Sequence, residues 1–231
     1  MFDERRHDID ALRSIALFLL IFYHLAVSFT SVAKWILFVP NNKPIDNIWS
    51  LLSIFNIWRI PLLFIIAGIA LRFSYQNRGV GKLFKERFKR LGIPYLFGAV
   101  TFVPLYIIIS AQFIYGDMSL DDNIGVLITS IFTGGHLWFL INILIYCLLF
   151  IPIIGFISNK KRGYKFVDSI LKIRGGVLLF SIPIILEGYL LDLTAYKEDI
   201  GYGNSYSEYY GTDHGLLLGF IWFLIGIVLT S

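Results

Sequence analysis

Two ionisable residues lie inside an apolar stretch near the N-terminus of this sequence. Arg13 and His24 fall within residues 10–33 and are eleven positions apart. On a helix this separation leaves them about 20° from eclipsed, so they share one face and lie roughly 16 Å apart along the axis. Histidine titrates near neutral pH and suits proton transfer, whereas arginine binds anions. This face is therefore a candidate half of an active site.

Each of these residues also has a structural interpretation. His24 would then be a core histidine bonded to a neighbouring helix, and Arg13 would reach from the helix end to lipid headgroups. Arg59 lies in the middle of a second apolar stretch, one turn after Asn56, and is too deep to reach the headgroups. A charge at that depth needs a partner, a cavity or an anion, and Glu187 is a candidate structural partner.

Two further arginines lie where the basic segment 72–90 meets the third apolar stretch, residues 91–115. Arg87 and Arg90 are three residues apart and share a helix face. They are either a positively charged anchor for lipid headgroups or a paired clamp for a phosphorylated donor, because arginine forks match phosphate oxygens.

A third group of candidate residues lies before the fourth apolar stretch, at the membrane surface that the charge distribution described below predicts to be extracytoplasmic. Gly134 and Gly135 precede His136, and Trp138 follows it. The two glycines predict a tight backbone turn, and an aromatic belt at the interface is a sufficient reason for Trp138. We treat His136 and Trp138 as candidate substrate or oxyanion contacts, together with Asn56, Arg59 and Glu187.

The composition indicates the elements that must hold these groups. Of 231 residues, 57% are hydrophobic and 16% are charged, whereas a soluble domain carries about a quarter charged residues. The net charge of +4 comes from basic residues between apolar runs, which excludes a nucleic-acid-binding interpretation. Cys147 is the only cysteine, so no internal disulfide or multi-cysteine metal site can form. The chain is therefore predicted to be a polytopic membrane protein.

The apolar runs predict an all-α transmembrane bundle formed by one domain over residues 1–231. Residues 124–136 are too few to cross a membrane and are predicted to be re-entrant or interfacial. The chain stops within the last predicted span, so we expect a longer domain with further spans that are missing here. The six predicted spans are 11–33, 48–71, 91–115, 137–158, 175–191 and a span that begins near 214.

The charges of the intervening segments predict an orientation. Segment 72–90, read as a loop, has seven Lys/Arg and one Glu, and segment 159–174 has six Lys/Arg and one Asp. Segments 116–123 and 192–213 are mostly acidic. The positive-inside rule then predicts a multi-pass inner-membrane protein with a cytoplasmic N-terminus.

Taken together, the motifs resemble acyltransferase family 3, the membrane-embedded O-acyltransferases. In the motif that runs from Phe64 to Leu71, Ala67 replaces the serine that the family usually has at that position. Residues 58–64, Trp-Arg-Ile-Pro-Leu-Leu-Phe, most resemble the branch that includes osmoregulated-glucan succinyltransferases. The matching motifs, in order, are Ile9-Asp-Ala-Leu-Arg13 with His24, Phe64-Ile-Ile-Ala-Gly68-Ile-Ala-Leu71, Arg87-Phe-Lys-Arg90 before Pro94, and His136-Leu-Trp138-Phe-Leu.

The resemblance implies acyl transfer from acyl-CoA, as a co-substrate, to a hydroxyl of a glycan or another extracytoplasmic acceptor. It implies no bound cofactor and no metal, and a domain of about ten spans. His24 would be the essential base, Arg13 would position the donor, and Arg87 and Arg90 would hold CoA phosphates. Arg59 is expected to stabilise an oxyanion or an acyl carboxylate.

Two other functions fit the same pattern. Intramembrane Arg, His and Glu residues on interrupted helices are also typical of a transporter or permease, although inverted repeats are not visible in the sequence. The early stop also allows an inactive fragment. Besides acyl-CoA and the acceptor, the expected partners are membrane lipids.

Overall fold

The computed structural model describes residues 7–31, 33–36, 38–45, 47–116, 119–133, 135–158, 168–183, 185–186 and 213–229. These ranges are mostly helical and contain no strand, so the predicted all-α fold is confirmed. The α-helices in chain order are α1 (His7–Val27), α2 (Ile48–Arg78), α3 (Val80–Arg87), α4 (Ile93–Val100), α5 (Phe102–Tyr115), α6 (Leu120–Thr133), α7 (Trp138–Ser158) and α8 (Asp213–Leu229).

Several of these helices are long and apolar enough to cross a membrane. Helix α8 starts where the sixth span was predicted, but its apolar part, Gly215–Leu229, is shorter. The predicted fifth span, 175–191, lies partly outside the described residues. The four full-length candidates overlap the first four predicted spans and are His7–Val27, Trp58–Tyr75, the run Val80–Tyr115 that includes α3 to α5, and Gly135–Ile154.

Helix α6 supports the prediction of a short apolar element before His136. It has 14 residues, which corresponds to about 21 Å of helix and is less than the roughly 30 Å of a hydrocarbon core. It packs against α4 and α5. It therefore belongs to the bundle without crossing the membrane by itself.

The prediction that residues 72–90 form a loop is wrong. Helix α2 continues to Arg78, Gly79 has a left-handed φ of 68°, and α3 begins at Val80. Lysine, arginine and glutamate favour helix, and the fully buried Leu83 joins the core, where α3 packs against α7. The basic side chains are therefore carried by two helix ends instead of an irregular loop.

Helix α1 also differs from its predicted bounds of 11–33. It begins at His7 and ends at Val27. Its end is fixed by Thr30, whose backbone N–H and Oγ1 both donate to the Val27 carbonyl, at 2.9 and 2.7 Å. Because a hydroxyl and an amide satisfy this carbonyl, the chain turns after Val27 instead of continuing the helix.

The break between α4 and α5 places the residues that later face His136. Thr101 separates the two helices with φ −112° and ψ −70°. Pro104 follows three residues later, and a proline ring conflicts with a regular carbonyl four residues before it, here that of Val100. The long apolar stretch is therefore bent into two helices.

The core is organised around α2, which packs against α1, α3, α7 and α8. A Cβ atom at Gly68 would lie 2.2 Å from the Phe223 carbonyl oxygen, and one at Gly226 would lie 2.2 Å from the Ile65 carbonyl oxygen. The backbones of α2 and α8 are thus in direct contact. Small residues permit this approach between membrane helices.

Helix α7 closes the same core from the other side. Tyr146 donates a 2.7 Å hydrogen bond to the Leu216 carbonyl of α8, and its ring lies 5.7 Å from the ring of Phe64 on α2. One side chain therefore joins three helices. The fully buried apolar residues of this core include Phe64, Leu71, Leu83, Ile154, Phe223 and Ile227.

The α2–α8 contact gives a prediction about stability. Gly68→Ala should lower the thermal midpoint of the purified protein in detergent, because overpacking a close contact costs about 1–3 kcal/mol. Gly81→Ala is the matched control, since nothing lies within 4 Å of its added Cβ. Equal midpoints for the two variants would contradict the close approach.

Candidate active site

His24 lies in the last turn of α1, three residues before its end. In the predicted span of 11–33, His24 would have lain nearer the middle of the helix. A ring nitrogen of His24 donates to the Leu20 carbonyl one turn earlier. In the neutral imidazole the other nitrogen is then an acceptor. His24 thus offers a basic nitrogen near a helix end.

His136 is placed by the glycine turn that the sequence predicted. Gly135 has φ +46° and is buried, and a Cβ there would lie 2.5 Å from Cγ1 of Val103 on α5. The 3₁₀ turn Gly135–Leu137 follows at once and leads into α7. This close contact with α5 brings His136 beside Tyr106, with the ring centroids 4.6 Å apart.

The two histidines come together in space. Their ring centroids are 6.1 Å apart, although the residues are distant in sequence and lie on different helices. The Phe38 ring stacks on His24 at 5.8 Å and contacts His136 at 4.9 Å. Two imidazoles bordered by two aromatic rings form the centre of the candidate site.

Phe38 and Tyr106 are the two members of this centre that sequence reasoning missed. Phe38 comes from the connection between α1 and α2, whose fold has no periodic signal. Tyr106 is an ordinary aromatic residue within an apolar helix. Neither carries a charge or a motif that would have separated it from the other aromatic residues.

Arg59 completes the described site from α2. It is 1% exposed, and its Cζ lies 4.2 Å from the centroid of the Tyr23 ring on α1. This cation–π contact holds a charge in an apolar setting. The positive charge of this guanidinium also interacts electrostatically with the imidazole of His24. The predicted alternative partner, Glu187, lies outside the described residues.

The remaining predicted residues lie away from this centre or join the core. Arg13 is exposed near the start of α1, roughly 16 Å along the axis from His24. Trp138 is partly buried against Phe64, at 6.4 Å between ring centroids, so it packs on the core. Asn56 lies on α2 three residues before Arg59, and its side chain is outside the described part.

The two arginines of the predicted clamp have different partners. Arg87 Nη2 donates to the Ala70 carbonyl at 3.0 Å and to Ser74 Oγ at 2.6 Å, which ties α3 to α2. Arg90 is exposed and pairs with Glu86 at 3.1 Å. One arginine is therefore bonded inward and the other faces outward at the same end of the bundle.

The fold and this centre define a polytopic helical membrane protein in which two histidines from separate helices lie close together. The chain belongs to acyltransferase family 3: the family described as an acyltransferase domain matches residues 6–231. This confirms the resemblance drawn from the motifs and makes the chain a membrane acyltransferase in general terms. No curated protein and no solved structure matches the chain.

The placement of His136 is testable through its glycine turn. Gly135→Ala should reduce acyl transfer at least about tenfold, because even a 1 Å misplacement of a reacting group is costly. The added methyl would meet Val103 at a backbone conformation that favours glycine. Gly125→Ala, where a Cβ meets open space, is the control. Equal transfer rates for the two variants, measured in membranes with labelled donor, would contradict this placement.

Proposed function

We propose that this protein transfers an acyl group, acetyl or succinyl, from acyl-CoA at the cytoplasmic face to a hydroxyl of a glycan or another extracytoplasmic acceptor. The observation that carries the proposal is the convergence of His24 and His136 at 6.1 Å between ring centroids. Acyl transfer to a hydroxyl needs a base that removes its proton, and histidine serves this role near neutral pH.

In the proposed reaction, His24 accepts the proton of the acceptor hydroxyl while its oxygen attacks the thioester carbonyl carbon. The carbon–sulfur bond then breaks, and the imidazolium returns the proton to the departing thiolate, so CoA leaves as a thiol. The Leu20 carbonyl supports this role, because it holds one ring nitrogen as the donor and leaves the other as the acceptor. His136 would orient the acceptor hydroxyl from the opposite side.

Arg59 supplies positive charge beside this centre. Negative charge develops on the carbonyl oxygen as the thioester is attacked, and a preorganised cation in a dry site stabilises it. Burial of Arg59 over the Tyr23 ring fixes the guanidinium in advance. If the acyl group is succinyl, the same cation would attract its free carboxylate.

The donor would enter from the end of the bundle that carries Arg87 and Arg90. Ser74, which accepts a hydrogen bond from Arg87, lies fifteen residues after Arg59 on α2, or about 22 Å along the helix. The long pantetheine arm of CoA suits such a span. Arg90 then meets the phosphates from the exposed side, and Arg13 guides the donor near the other end of α1.

The orientation and the acceptor are part of the same proposal. The basic ends of α2 and α3 favour an orientation in the inner membrane in which these ends face the cytoplasm. The N-terminus would then lie on the same side. Residues 58–64 favour the branch with the osmoregulated-glucan succinyltransferases, and hence a glycan acceptor. The family match does not favour the transporter alternative.

His24→Ala tests the base directly. The variant should lose acyl transfer by at least about 100-fold, since general base catalysis contributes about 10²–10⁴-fold. The measurement is transfer of labelled acyl groups by membranes that contain equal amounts of protein. His7→Ala on the exposed first turn of the same helix is the control. Full activity of His24→Ala would contradict the assignment.

Arg90→Ala tests the donor clamp with little cost to folding, because Arg90 is exposed and pairs with Glu86 within the same helical run. It should raise the KM for acyl-CoA about tenfold and leave kcat little changed, since a charge-assisted bond contributes about 1.5–3 kcal/mol. Lys89→Ala removes an equal, exposed charge beside it and serves as the control. A similar KM for both variants would favour the lipid-anchor interpretation.

A further inference from the structure

The connection between α1 and α2 sends one aromatic ring into the histidine pair. Phe38 is 7% exposed, stacks on His24 with an interplanar angle of 8°, and lies 4.9 Å from His136. Its ring is also 5.9 Å from Tyr106, in an edge contact. The Phe38 ring therefore borders both imidazoles at once.

The position of this ring is fixed by the surrounding backbone. The Phe38 N–H donates to the Ala33 carbonyl at 2.9 Å, which closes the turn that precedes the ring. Further along, the Asn41 N–H donates to the Ser28 carbonyl at 2.8 Å, and the Ile45 N–H donates to the Phe29 carbonyl at 2.8 Å. These bonds tie the connection to the residues that follow α1, so the ring is held from both sides.

Apolar packing holds the same ring against α1 and α2. Phe38 belongs to a buried cluster in which α1 and α2 both take part, so its position depends on how these helices cross. Removal of the ring would open space beside both imidazoles. The other buried members of the cluster are Tyr23, Val27, Ala33 and Leu52.

We infer that Phe38 is a specificity-determining residue that limits the transferred acyl group to a short chain, so of the two acyl groups proposed above it favours acetyl over succinyl, whose chain is as long as that of butyryl. This inference rests on the proposed acyl transfer at His24. An acyl carbon on the Phe38 side of His24 lies beside the Phe38 ring, because the two rings are parallel and their centroids are 5.8 Å apart. A short acyl chain fits beside a fixed aromatic ring, and each added methylene meets it. A rigid apolar side chain in this position discriminates between acyl donors by about 10–200-fold in kcat/KM for each added methylene.

The test compares donor chain lengths in membranes that contain the full-length protein. Initial rates with acetyl-, propionyl- and butyryl-CoA are measured both as label transferred to endogenous acceptors and as free thiol released. The wild type should prefer the shortest chain. Phe38→Ala should raise the ratio of kcat/KM for butyryl-CoA to that for acetyl-CoA at least about tenfold, and Phe38→Leu should give a smaller increase.

Two controls separate this inference from instability. Phe18→Ala removes an equal ring from the exposed face of α1, where it contacts Phe22, and should leave the ratio at the wild-type value. Phe38→Leu keeps apolar bulk, so it supplies the ratio if Phe38→Ala does not accumulate. A wild-type ratio in an active Phe38 variant would overturn the size limit alone. No transfer by the wild type from any donor would overturn the proposed function and the size limit with it.

Discussion

The rest of the described structure depends on the contact between the backbones of α2 and α8. At Gly68 there is no room for a side chain, because a Cβ would lie 2.2 Å from the Phe223 carbonyl oxygen. This contact fixes α2 in the bundle through close packing, the main attraction between helices in lipid. The other faces of α2 are then positioned: Arg59 contacts Tyr23 of α1, and Ser74 binds Arg87 of α3.

The two histidines reach each other because each lies at the end of a helix. His24 is in the last turn of α1, and His136 is in the turn that precedes α7. A site at the ends of membrane-crossing helices also lies toward one membrane face.

The sequence predicted the composition of the site better than its assembly. Arg59 and His24 were identifiable because ionisable groups in apolar helices are rare, and Gly135 was identifiable because the turn needs a left-handed residue. The contact between His24 and His136 was not predictable, since it depends on how separate helices cross. For the same reason Phe38 was missed. Residues 72–90 were predicted to form a loop because they are rich in Lys and Arg. These residue types also favour helix, and the structure shows helices there.

The proposed transfer of an acyl group to an acceptor outside the cytoplasm can be measured in the cell envelope. The direct test is mass spectrometry of envelope glycans from cells with the gene, without it and with it restored. We expect acetyl or succinyl additions that disappear without the gene and return when it is restored. Identical acylation of the glycans in all three samples would contradict the proposed transfer.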